Sequence, residues 1–241
     1  MHGPAELAPV SSSAHTTLVA WRRGWHLDEL DPAARKRFEL ALHAGAAAAV
    51  LLGRRERNTV PRRVVVLACA PPALAGALLR GPIERRFGTP ATIAVALAAG
   101  GAAMAVAERG RGSRARGDAG LADGLALGGA QALALIPGIS RSGAARTVAR
   151  MRGFDAREAQ ALSDSVGLPI TLAAVASCAG AVRGRDRATL ASGAAGAFAS
   201  TLASGALLRR VGAARSLYPF AVYRIALAAA VVRRLRENGP R

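Results

Sequence analysis

Two short polar stretches hold the groups able to do chemistry. Residues 3–15 read GPAELAPVSSSAH and residues 131–143 read QALALIPGISRSG. The first supplies a carboxylate (Glu6), three hydroxyls (Ser11, Ser12, Ser13) and an imidazole (His15). These are the parts for metal binding, proton transfer and nucleophilic attack. The second supplies Ser140, Arg141, Ser142 and Gly143. A guanidinium is a planar fork of donors that fits phosphate oxygens and keeps its charge where a lysine loses it. A Ser-Arg-Ser-Gly turn opening a helix adds backbone N–H groups and hydroxyls around an anion. Pooled, the two sets are equipped for phosphoryl transfer on a lipid-borne substrate. Taken singly each has a plainer reading, the serines as a helix cap and the arginine as an interfacial side chain.

The elements that must position these groups are apolar. Hydrophobic residues make up 51% of the 241-residue chain, yet the net charge is +18. The cations are almost all arginine and come in bursts between apolar blocks: Arg54-Arg55, Arg62-Arg63, Arg85-Arg86, Arg109 to Arg116, Arg183 to Arg187 and Arg209-Arg210. That placement suits the ends of membrane segments and argues against a soluble nucleic-acid binder, which needs a continuous basic face. Candidate spans are Phe38 to Leu52, Val64 to Leu79, Thr89 to Ala107, Leu121 to Ile136, Leu162 to Val182, Ala188 to Leu208 and Leu217 to Val232. Each approaches the roughly 17–25 residues needed to cross hydrocarbon. Pro71-Pro72 and Pro169 are expected to interrupt two of them, and such breaks belong on internal helices. Gly124 and Gly128, four apart, would allow close helix packing.

The chain therefore reads as an all-α polytopic membrane bundle in one domain. Residues 110–119 form a polar linker between a first half (1–109) and a second (120–241). Pro9 precedes the first serine cluster and Pro137 the second, a weak internal echo of duplicated halves whose broken helices meet in the bilayer. Cations flank the spans on both sides, so charge alone does not orient the chain. Met1 to Val10 lacks an apolar core, and no cleavable leader is expected there. Cys69 and Cys178 read as small buried hydrophobes. His43 reads as a packed helix residue with Glu39 as its i,i+4 partner. Asp164, beside Pro169 in LSDSVGLP, needs a partner if it lies at membrane depth.

These stretches, with FELALHAGAAAAVL (38–51) and GFDAREAQALSDSVGLP (153–169) in the same order, resemble the signature blocks of the bacterial undecaprenyl-diphosphatase family. The resemblance covers nearly the whole chain. It implies an integral membrane phosphatase that converts undecaprenyl diphosphate to the monophosphate and recycles the carrier of cell-wall polymers, with bacitracin resistance as an associated property. It further implies an inverted repeat with two re-entrant hairpins, usually a homodimer, in the bacterial inner membrane. The site would open to the extracytoplasmic face and need Mg2+ or Ca2+, with no nucleic-acid partner. By residue, Glu6 matches a metal-binding catalytic glutamate, Ser12 the proposed nucleophile and His15 the histidine closing the motif. Ser140 and Arg141 match the pair that grips the diphosphate. Ser11, Ser13, Ser142, Gly143 and Gln131 join the substrate-binding set. The chain departs from the pattern at His2, where the family has a first glutamate, at Ala145, where threonine is usual with Thr147 two positions on, and at Asp164-Ser165, where an apolar pair is usual. Those departures motivate a rival, a catalytically impaired polyprenyl-phosphate binder or translocase.

Overall fold

The structure is a computed structural model that describes residues 2–25, 31–53, 59–110, 112–176, 187–211 and 216–237. Within these residues the regular elements are helices: α1 (His2–Leu7), α2 (Ser12–Arg23), α3 (Pro32–Gly53), α4 (Arg62–Phe87), α5 (Pro90–Ala107), α6 (Leu121–Leu133), α7 (Arg141–Met151), α8 (Ala156–Ala176), α9 (Arg187–Val211) and α10 (Tyr218–Glu237). The order repeats. Each run of five has two short helices around a proline turn, then three long ones. Cys178, Arg54-Arg55 and Arg183 lie outside the described residues, as does the side chain of His2.

Each of the seven apolar segments falls mainly on a helix, that of Leu162 to Val182 as far as Ala176, with 177–182 outside the described residues. Four of them, α4, α5, α8 and α9, are long and apolar enough to cross a membrane. The other three fall short for visible reasons. Helix α6 has 13 residues, or about 20 Å at 1.5 Å per residue. Helix α3 starts with Arg35, Lys36, Arg37 and Glu39, and α10 carries Arg224 in its body and three arginines near its end. Leucines and valines on the outer helix faces are exposed, among them Leu52, Leu78, Val95 and Val222. In lipid such faces cost nothing, so these helices must associate through packing and hydrogen bonds instead of hydrophobic burial.

Packing is close where glycine permits it. Helix α6 lies on α4, and a Cβ on Gly124 would stand 3.0 Å from the Val64 carbonyl oxygen, one on Gly128 2.7 Å from that of Leu67. A Cβ on Gly45 of α3 would collide with the Ala194 carbonyl of α9. Val64, Ala68, Leu127, Ala145, Leu162 and Val166 form one apolar cluster, and Ala14, Leu18, Ile93, Leu97 and Ala228 a second.

The prolines do not break their helices as expected. Helix α4 runs unbroken through Pro71, Pro72 and Pro82, and α8 through Pro169. A proline at 72 leaves the carbonyl of Ala68 without its helical donor. Gln131 on α6 replaces that donor, its Nε2 lying 2.8 Å from the Ala68 oxygen. The linker end is held by charge. Buried Asp123 accepts from Arg114 (2.8 Å), from Arg152 and from the Gly120 amide (2.8 Å), and the Arg114 guanidinium stacks 4.2 Å over buried Phe154.

Candidate active site

The two proline turns meet. After α1 the chain turns through Pro9 into Ser11, which caps α2 with φ 73°, the left-handed region that costs a side-chain residue about 1–3 kcal/mol. Local bonds offset that cost: the Ser11 hydroxyl accepts from the Ala14 amide (3.4 Å), and the Ser11 carbonyl accepts from His15 Nδ1 (2.7 Å). After α6 the chain turns through Gly138 (φ 104°) into Ser140, which caps α7 by accepting from the Gly143 amide (3.2 Å). The turns touch at Gly143, where a Cβ would lie 3.2 Å from the Pro9 carbonyl oxygen and collide with Met104. Two capped helix N-termini thus face one region, an arrangement that favours anions.

At the junction, Glu6 Oε1 and Arg141 Nη2 are 2.8 Å apart. The Ser12 hydroxyl donates to Glu6 Oε2 (3.3 Å), and His43 Nδ1 stands 3.6 Å from the same oxygen. Arg141 Nη1 donates to the Gly167 carbonyl (2.9 Å) and to the Thr171 hydroxyl of α8. A cavity of about 50 Å³ lies here, lined by Glu6, Gln131, Arg141, Ser142, Asp164 and Thr171 among others. That volume has room for only a few waters.

Of the residues picked out from sequence, the structure brings together Glu6, Ser12, Arg141 and Ser142. Ser140 and Ser142 sit 3.3 Å apart and Ser11 and Ser13 3.2 Å apart, one hydroxyl pair on each turn. Gln131 reaches the cavity, but its amide N–H is engaged by Ala68. His15 faces elsewhere. Its Nδ1–H donates to Ser11, and Nε2 meets the Tyr223 hydroxyl at 2.6 Å, with the two rings stacked 5.7 Å apart. The partners drawn for His43 and Glu39 are corrected: Glu39 pairs with Arg80 (3.4 Å), and His43 turns to Glu6. Asp164 takes a bond from Gln160 (2.8 Å) on the cavity wall. Ala145 packs in the apolar cluster of α4, α6 and α8 and does not line the cavity, so the methyl replaces no visible cavity group. Cys69 is half-buried, its thiol 3.6 Å from the Val166 carbonyl.

Thr171, Gly167 and Tyr223 were not read as site residues from sequence. A carbonyl acceptor has no sequence signature, and Thr171 and Tyr223 are ordinary in apolar helices. The described residues contain no group of three or more His, Cys, Asp or Glu able to cage a metal. The cavity wall carries two carboxylates, Glu6 and Asp164, a set small enough to suit a cation completed by phosphates and water, as Mg2+ commonly is.

The family model described as "Bacitracin resistance protein BacA" matches residues 1–230. The undecaprenyl-diphosphatase of Gemmatimonas aurantiaca is 36% identical, the match covering 94% of this chain and 91% of the relative. The undecaprenyl-diphosphatase of Geobacter sulfurreducens is 34% identical, covering 96% and 94%. That of Pelobacter propionicus is 31% identical, covering 96% and 93%.

Proposed function

We propose, for a chain that belongs to the bacitracin resistance protein BacA family and is therefore a membrane undecaprenyl-diphosphatase, that hydrolysis runs at the junction of the two proline turns. The observation that carries this reading is the Glu6–Arg141 pair at 2.8 Å, which joins a carboxylate from one turn to a guanidinium from the other. A diphosphate competes for the same guanidinium with more oxygens and more charge than one carboxylate. Its arrival takes Arg141 from Glu6. Glu6, released from Arg141, then serves as a base 3.3 Å from the Ser12 hydroxyl.

In this reading Ser12 Oγ attacks the terminal phosphorus and its proton passes to Glu6. The bond from that phosphorus to the bridging oxygen breaks, and undecaprenyl phosphate leaves with the electron pair. Water then attacks the phosphoserine, inorganic phosphate departs, and the hydroxyl of Ser12 is restored. Arg141 and the amides opening α7 stabilise charge on the transferred group. The Gly167 carbonyl and Thr171 hydroxyl hold Arg141 in place. His43 lies next to Glu6, where it can relay the proton, whereas His15 orders the first turn through Ser11 and Tyr223. Mg2+ or Ca2+, held by Glu6 together with substrate oxygens, would neutralise phosphate charge.

Family membership also supports an inverted repeat, a homodimer in the bacterial inner membrane and a cavity facing the extracytoplasmic side. The rival binder or translocase without turnover draws no support from the relatives, which are phosphatases by name. The test is phosphate release from undecaprenyl diphosphate by purified protein in detergent, with and without chelator, for wild type and Ser12→Ala. We expect chelation to stop release and Ser12→Ala to lose it, with phosphoserine detectable at residue 12 of the wild type by rapid quench. Near-normal release from Ser12→Ala would make water the nucleophile, and stoichiometric binding without release would restore the rival.

A further inference from the structure

Helix α10 carries an arginine in the middle of an apolar run, VYRIALAAAVV. Arg224 is fully buried, the largest side chain in the described residues to be so. A charge at membrane depth requires partners and usually finds a carboxylate. Among the described residues no carboxylate is in ion-pair contact with Arg224. Its guanidinium donates instead to three backbone carbonyls on three segments: Gly138 (2.8 Å), Pro9 (3.3 Å) and Ala96 (3.4 Å). Pro9 and Gly138 are the bends of the two catalytic turns. Ala96 is on α5, the helix along which α10 packs.

The surroundings are shaped to that guanidinium. A Cβ on Gly100 of α5 would collide with Arg224 Nη2, so the absence of a side chain there makes its seat. On Gly101 a Cβ would come 3.0 Å from the Ala221 carbonyl oxygen, so glycine there lets α10 approach α5. Gly138 lies against the same helix, where a Cβ would stand 2.9 Å from the Ile93 carbonyl oxygen. The neighbouring Tyr223 holds His15 of the first turn. A planar head with five donors is well suited to serve carbonyls on three segments from one point.

We propose that Arg224 is a positioning residue for the hydrolysis: by bonding the bends of both turns to α5 it fixes the spacing at which Glu6 and Ser12 of one turn meet Arg141 of the other. This rests on the reading of the site given above. Arg224 has no surface in the cavity and does not touch substrate. Its loss should therefore lower turnover in each folded molecule and leave affinity nearly intact, because a displacement of about 1 Å in a site costs about 100-fold.

The test compares Arg224→Met, Arg224→Lys and Gly100→Ala with wild type and Arg141→Ala, all purified in detergent, with kcat and KM normalised to the monodisperse folded fraction. Expected are a fall in kcat of about 100-fold for Arg224→Met, with KM within about threefold of wild type. Arg224→Lys should recover part of the loss, and Gly100→Ala, which moves the guanidinium from the α5 side, should lower kcat while leaving the helix sound. If the Arg224 variants fail to fold, Gly100→Ala decides alone. Wild-type kcat per folded molecule in Gly100→Ala or Arg224→Met, with Arg141→Ala inactive, overturns this inference and leaves the site reading standing. An active Arg141→Ala overturns the site reading itself.

Discussion

Two of the places where this molecule joins a carboxylate to arginine are built differently. At the linker end Asp123 is 2% exposed and receives Arg114, Arg152 and the Gly120 amide together. Both of its oxygens accept from two donors each, and Phe154 supports one of the guanidinium groups. At the turns Glu6 shares its two oxygens between one guanidinium, one serine hydroxyl and a nearby imidazole, beside a cavity. The first arrangement is over-determined and loses by any exchange of partner. The second is poised for exchange, since a phosphate can take the arginine and leave the carboxylate as a base. On the reading proposed above, the contrast separates a structural ion pair from a catalytic one.

The comparison can be broken by substitution on each side. The largest effect is expected from Arg141→Ala, which should lower phosphate release by about 1000-fold, the cost of removing a charged donor from a transferring phosphoryl group. Glu6→Gln should lower it by about 100-fold, as for loss of a general base, with substrate affinity little changed. Both are read by steady-state release from undecaprenyl diphosphate. Asp123→Asn should act in the opposite sense: unchanged kcat per folded molecule, and about 3 kcal/mol less stability by thermal or denaturant unfolding in detergent, because it leaves two arginines without their shared anion. A catalytic defect there would erase the distinction between the two sites.

The smallest effect is expected at Asp155, which precedes α8 and accepts from the Arg157 amide at 2.8 Å. That amide bond holds its carboxyl below the ordinary carboxylate range. A depressed folded pKa gives stability that is present above the unfolded pKa and is lost as pH falls through the folded one. Asp155→Ala should thus cost about 1 kcal/mol at neutral pH and converge with wild type in acid. Activity should be unaffected, and thermal midpoints across pH would show it.

Hydropathy located the six long helices and the 13-residue α6 because each coincides with an apolar run, and the polar turns stood out against that background. The short helices α1, α2 and α7 escaped that signal, since 6 to 12 residues of mixed polarity have no distinctive run. Where α4 passes Pro72, Gln131, 63 residues from Ala68 in sequence, takes the carbonyl that the proline releases. Local rules cannot see that bond. The same limit misassigned Glu39, whose true partner, Arg80, is on another helix. Glu6, Ser12 and Arg141 were legible because their types are costly in an apolar chain and clustered at turns. Arg224 was equally costly but isolated, and its partners are carbonyls, which every residue has.

The most direct test of the central claim is a double-mutant cycle between the turns, with kcat measured for Glu6→Gln, Arg141→Lys and the two combined. Residues that act as one exchangeable unit are strongly non-additive. The account predicts that the double variant is no slower than the slower single variant. Losses that multiply would show that Glu6 and Arg141 act independently, and the exchange described here would be wrong.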